Sequence, residues 1–146
     1  MRKDLSVAEL GDLLERPFNA VLATYRRDGS VLLSPVWHAW EDGGFSVVTG
    51  ADDVKVRHIQ RDGRAAIVVA DHEPPFRGIE VSGTPSIERD GSRALELMRG
   101  IAARYLGERE GRAYVETLDE DMVIIRLVPG RLRTWDFADD EALAGL

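Results

Sequence analysis

Apolar and polar positions alternate along much of the chain, and the turn residues divide that alternation into segments. In "NAVLATYRRDGSVLLSPVWHAWEDGGFSVVTG", residues 19–50, β-branched and aromatic residues are interrupted at Asp28-Gly29 and at Asp42-Gly43-Gly44. This is hairpin turn chemistry, and it predicts three consecutive antiparallel strands. The apolar run "RAAIVVAD", residues 64–71, reads as a buried fourth strand. After Pro74-Pro75, "RGIEVSGTPSIE", residues 77–88, alternates again and predicts a fifth, with Gly83 marking a bulge or a close backbone approach. "DMVIIRLVPGRLRTWDF", residues 121–137, reads as one long sixth strand interrupted at Pro129-Gly130.

Elsewhere the period is helical. "SVAELGDLLER" places Val7, Leu10, Leu13 and Leu14 at helical spacing behind a capping box, Ser6 with Glu9, and predicts a short amphipathic helix. Asp52 or Asp53 caps a second helix reaching about Gln60. In "SRALELMRGIAARYL" the residues Leu95, Met98, Ala102 and Tyr105 share one face, and Gly107 ends the helix. The acidic tail, residues 139–146, is expected to be flexible. Strands joined by hairpins, with one long helical insertion, suit a mainly β antiparallel barrel with peripheral helices rather than a doubly wound parallel sheet.

At 146 residues the chain suits a single domain, 1–146. Its formal net charge of −7 argues against a nucleic-acid binder, because phosphate neutralisation needs a basic face. There is no cysteine, which excludes disulfides, thiolate metal sites and cysteine nucleophiles. No apolar run reaches signal-peptide or membrane-span length, so a soluble cytoplasmic protein that engages no membrane is the expectation.

No phosphate-binding loop, nucleophile elbow, dinucleotide fingerprint or paired-histidine zinc motif occurs. His38, His58 and His72 are too scattered to suggest a metal site, and Ser34 reads as a strand hydroxyl. No residue is singled out as catalytic. The local departure is "TGADDVKVRHIQRDGR", residues 49–64, where Lys55, Arg57, Arg61 and Arg64 cluster in an otherwise acidic chain. Lys55 falls in the first turn of the predicted helix, where free amides and the helix dipole favour an anion. That stretch supports two readings, a phosphate cradle or a solvated basic face. Charge-assisted hydrogen bonds of about 1.5–3 kcal/mol each do not comfortably reach the roughly 8 kcal/mol of micromolar binding, so a cradle needs an apolar partner site. "LLSPVWHAW" is the candidate for a flat ring, although Trp37, Trp40 and Trp135 also read as ordinary barrel residues.

Taken together, "TYRRDG", "SPVW", "VVTGADDVKVRHIQRDGRAAIVV", "FRGIEVSGTPSI" and "RYLG" resemble the split-barrel flavin- and deazaflavin-binding proteins related to pyridoxamine 5'-phosphate oxidase. The likeness covers nearly the whole chain and is greatest to the small bacterial branch that binds the deazaflavin F420. It implies a six-stranded antiparallel split β-barrel of the FMN-binding type, forming a homodimer with cofactor in two clefts at the interface. It also implies that Ser34, Pro35, Val36 and Trp37 flank the ring system and that Val48 and Thr49 approach it. Lys55, Val56 and Arg57 would serve the phosphate, with His58 standing where Asn is common, and Arg133 and Trp135 would close the cleft. Gly78 stands where the true oxidases have a flavin-contacting Gln, and their C-terminal substrate-binding segment is not seen. Pyridoxamine phosphate oxidation is therefore not expected. The implied activity is hydride transfer from reduced F420 to a conjugated small-molecule substrate. The alternatives are an FMN-dependent reductase or oxidase, or a non-catalytic flavin- or haem-binding module.

Overall fold

The computed structural model describes residues 1–143. In chain order the strands and helices are β1 (Arg2–Lys3), β2 (Ala20–Tyr25), β3 (Val31–Val36), β4 (Ala39–Glu41), β5 (Gly44–Gly50), α1 (Val54–Asp62), β6 (Ala65–Ala70), β7 (Gly78–Gly83), β8 (Ser86–Glu88), α2 (Gly91–Leu106), α3 (Glu108–Glu116), β9 (Met122–Leu127) and β10 (Arg131–Asp136). They build two antiparallel sheets, one of six strands in the order β1-β10-β7-β6-β2-β3 and one of four in the order β4-β5-β9-β8. This is a mainly β split barrel with peripheral helices, as expected.

The strand runs read from the pattern are all present, but three of them serve both sheets. The chain leaves the larger sheet after β3 and enters the smaller one at β4 by way of Trp37-His38, and β7 passes to β8 through Thr84-Pro85. β9 returns to β10 through residues 128–130. Gly83 sits at that last crossing. A Cβ on Gly83 would lie 3.0 Å from the Gly130 nitrogen and 3.1 Å from the Val128 carbonyl oxygen. The close backbone approach expected there is thus the point where two sheet-switching segments pass.

The inner faces of the sheets meet in one apolar core. Leu22, Ile67, Val69, Ile79 and Val81 come from the larger sheet, and Phe45, Val47, Val123, Ile125 and Leu127 from the smaller. The smaller sheet also buries its outer face, where Val48, Met122 and Ile124 receive Ala94, Met98, Ile101 and Ala102 of α2. β5 is therefore buried along its full length, which explains why its pattern is continuous rather than alternating. The outer face of the larger sheet stays open. There Pro35, Leu33 and Val31 stand beside Val21, Ala23 and Tyr25, which neighbour Val68 and Ala66. Leu33 is 61% exposed.

Two local expectations change. The N-terminal amphipathic helix reduces to a single 3-10 turn, Ala8–Leu10, because Gly11 takes φ 66° and ends it. Its capping box does form, with reciprocal Ser6–Glu9 hydrogen bonds of 3.0 and 3.2 Å, and Leu10, Leu13 and Leu14 still reach the core. The second change is α3, which the pattern did not single out. Within the acidic tail, Glu141–Leu143 form a 3-10 turn, and residues 144–146 lie outside the described residues. No helix among the described residues is long and apolar enough to cross a membrane.

Candidate functional site

A cleft of about 310 Å³ opens beside the end of β3. Pro35, Val36 and Trp37 form one wall, and Val47, Val48 and Thr49 from β5 form another. Lys55, in the first turn of α1, supplies the cation at its margin, and Asn19, Met98 and Tyr114 complete the lining. Two chain breaks create this space. β3 must end at Val36 to change sheets, and β5 must end at Gly50 to turn into α1, so both strand ends expose backbone and side chains to the same gap.

Trp37 is held by aromatic packing. Its ring is stacked on Tyr105 of α2 at 4.9 Å with an interplanar angle of 10°, and Tyr114 of α3 lies tilted at 5.3 Å. One indole face is thus already covered by protein. A flat ligand in the cleft meets the remaining surface of Trp37, against Pro35 and Val36. Behind it His38 is fully buried between Phe45 and Tyr105, and neither ring nitrogen has a hydrogen-bond partner among the described residues. Burial, reinforced by the nearby Arg104 charge, lowers the His38 pKa to about 4, so it is neutral at physiological pH.

The cationic end of the cleft is partly self-neutralised. Asp53 is the N-cap of α1, accepting the Lys55 backbone N–H at 3.0 Å, and its same oxygen lies 2.9 Å from the Lys55 ammonium. Burial works to raise the Asp53 pKa, yet the hydrogen bonds and charge of Lys55, with help from Thr49, bring it below the usual carboxylate range. The remaining basic residues of the cluster divide between the two ends of α1. Arg57 donates to the Asp52 carbonyl at 3.1 Å and stays exposed near Lys55. Arg61 bonds the Tyr25 carbonyl, and Arg64 pairs with Asp62 while its guanidinium lies 4.2 Å above the Tyr25 ring. The latter two are structural braces. Only Lys55 and Arg57 stand at the end of α1 that borders the cleft.

Of the residues singled out by sequence, Pro35, Val36, Trp37, Val48, Thr49 and Lys55 converge on the cleft. The others do not line it. Ser34 pairs with Leu22 and faces the barrel interior, since strand neighbours alternate. Val56 is 1% exposed in the core. His58 points neither to solvent nor to the cleft, because it is buried with Nδ1 3.0 Å from the Thr24 hydroxyl. Arg133 pairs with Glu80 at 2.7 Å and stacks over Trp135 at 4.6 Å, beside a second cavity of about 240 Å³ that also involves Lys3 and Asp4. Asn19, Val47, Met98 and Tyr114 were not anticipated. Met98 was legible only as a helix-face residue, and Tyr114 belongs to the helix the pattern passed over.

The comparisons with known proteins agree with this architecture. The conserved hypothetical protein Rv2991 from Mycobacterium tuberculosis is 27% identical, with a TM-score of 0.78 over 97% of this chain and 89% of its own. An F420 reductase is 30% identical, with a TM-score of 0.65 over 83% of this chain and 93% of its own. A FAD-binding protein from Mesorhizobium loti, 18% identical with a TM-score of 0.63 over 92% and 97% of the two chains, shares the fold. No curated protein matches the sequence. The family model described as pyridoxamine 5'-phosphate oxidase matches residues 7–136, most of the chain, and the protein belongs to that family.

Proposed function

We propose that the protein is an F420-dependent oxidoreductase that passes a hydride from the reduced deazaflavin to a conjugated organic substrate. The observation that carries this reading is the convergence of an apolar wall, Pro35 to Trp37, with the Lys55 ammonium on one cleft, in a chain 30% identical to an F420 reductase. The cleft fits the group in kind. Its volume lies near the lower end of ligand-binding cavities, enough for a ring system whose phosphate and tail extend past Lys55 and Arg57 to the surface. When bound, such a cofactor supplies the hydride itself. The chain's residues then need only seat the ring on Trp37 and Val36, hold the phosphate with Lys55, and limit water.

The same reading makes the protein a homodimer with a cleft at each end of the interface. Pro35, Val21, Val68, Glu80 and Arg133 form one row across the outer face of the larger sheet. Four strand spacings, about 19 Å, separate Pro35 at the cleft from Arg133 in the same chain. Two copies packed across this open apolar face about a two-fold axis would bring Arg133 and Trp135 of one copy to the cleft of the other. The partners are thus a second copy and a small molecule, and a cytoplasmic setting follows from the cofactor.

The test is titration of the purified protein with F420 and, separately, FMN, followed by tryptophan fluorescence. Tighter binding of F420 is expected. Preference for FMN would replace this reading with a flavin-dependent reductase or oxidase. Binding without reduction or reoxidation by any donor or acceptor would replace it with a storage or sensing module for flavin or haem.

A further inference from the structure

Tyr114 is the cleft residue contributed by α3. That helix is carried by α2, its main neighbour, and buries only Gly111 and Val115. Gly111 has no side chain to keep the helices apart. A Cβ there would stand 2.7 Å from the Ala103 nitrogen and 2.8 Å from the Ala102 carbonyl carbon. The backbone contact fixes the height of α3 above the cleft, and Val115 fixes its rotation. Tyr114, the residue before Val115, is thereby set over Trp37; the residue is 37% exposed, and its ring centroid lies 5.3 Å from the indole.

The opposite side of this wall is already committed. Tyr105 covers one face of Trp37, and β5 closes the floor through Val47 and Val48. Tyr114 borders the side of the Pro35–Trp37 wall left free by Tyr105 and β5, so a flat molecule that widens along Trp37 meets that ring. The Tyr114 hydroxyl has no hydrogen-bond partner among the described residues, so the fold has no evident use for it.

We propose that Tyr114 is the specificity-determining residue of the cleft, its ring setting the widest planar acceptor that can lie beside Trp37. The proposal rests on the reading of the cleft as the site where cofactor and acceptor meet. A steric side wall of this kind discriminates by size, and removing it admits the larger of two otherwise matched ligands.

The test uses 1,4-naphthoquinone-2-sulfonate and 9,10-anthraquinone-2-sulfonate as probes, which share one charge and differ by one fused ring. Their dissociation constants are measured by calorimetry on the full chain, with and without F420, for the wild type, Tyr114→Ala and Tyr114→Phe. Tyr114 is on an exposed helix and Ala favours helix, so both variants keep the fold. Tyr114→Ala is expected to shift the ratio at least fivefold toward the wider probe, and Tyr114→Phe to leave it within twofold. A ratio unchanged in Tyr114→Ala, an equal shift in Tyr114→Phe, or no binding of either probe to wild type and Tyr114→Ala would overturn the proposal. Failure of wild-type protein to bind F420 sinks the functional reading alone, since the probe ratio on the cofactor-free chain still decides the role of Tyr114.

Discussion

Lys55 and Asp53 share one carboxylate oxygen: Oδ1 of Asp53 accepts the Lys55 backbone N–H at 3.0 Å and its ammonium at 2.9 Å. The residue that starts α1 is therefore also the residue that holds the cleft's cation, and under the proposed function it would compete with the cofactor phosphate for it. On that reading, helix initiation and anion binding would be coupled at this one side chain.

This coupling predicts opposite effects from two neighbouring substitutions. Lys55→Ala should weaken F420 binding at least tenfold, about 1.4 kcal/mol. Asp53→Asn keeps a good N-cap while releasing the ammonium, and should tighten binding without loss of thermal stability. Fluorescence titration of both variants is the check. Equal affinity in all three proteins would leave the cation outside the binding site.

A second prediction concerns acid stability. His38 is held neutral with a pKa of about 4, below the ordinary 6.5, so the unfolded chain takes up a proton that the fold refuses. Stability attributable to His38 is intact above about pH 6.5, falls as pH drops toward 4, and is then flat. The loss amounts to about 3 kcal/mol. His58, also lowered chiefly by burial and then by the charges of Arg61, Arg26 and Arg57, acts in the same direction. His38→Leu should leave urea midpoints at pH 7.5 unchanged or higher, since neither imidazole nitrogen has a hydrogen-bond partner to lose among the described residues, and should flatten their decline between pH 6.5 and 4.

Gly78 and Trp135 fit as a pair. A Cβ on Gly78 would lie 2.1 Å from Cζ2 of the Trp135 indole, so the ring occupies the space a side chain would need. Gly78→Gln should destabilise the fold by about 1–3 kcal/mol through overpacking. Combining it with Trp135→Ala should recover part of that loss. Additive melting shifts would mean that the two residues do not compete for space.

Arg77 ties the N-terminal segment to the loop before β7. It donates to the Leu10 carbonyl at 2.8 Å and pairs with Asp12 at 2.8 Å and with Asp71 at 3.3 Å. The Asp71 side chain is buried, and its other cationic neighbour, Arg16, lies 3.8 Å away. Arg77→Ala should lower the urea midpoint, by less than the about 3–5 kcal/mol of a carboxylate left without a partner, because Arg16 and the Glu73 backbone N–H still hold Asp71. Arg77→Ala with Asp71→Asn should cost less than the single change.

The elements whose physics is local could be read from the sequence alone. Turn pairs such as Asp28-Gly29 set the hairpins, Asp52 or Asp53 marked the start of α1, and the apolar run of residues 64–71 marked β6 as a buried strand. Part of the cleft was legible for the same reason, since Pro35 to Trp37 lie at a break in the strand pattern and Lys55 in the first turn of a capped helix, while Val48 and Thr49 were implied by the resemblance alone. The rest follows from how distant segments pack. Local period cannot say that β7 and β8, one run in sequence, belong to different sheets, because the switch is set by where residues 128–130 cross Gly83. Nor can it say that His58 turns to Thr24, 34 residues away, or that Tyr114 reaches Trp37 from a helix whose position depends on a glycine packed against α2. Those relations are contacts between segments distant in sequence, and packing rather than periodicity selects them.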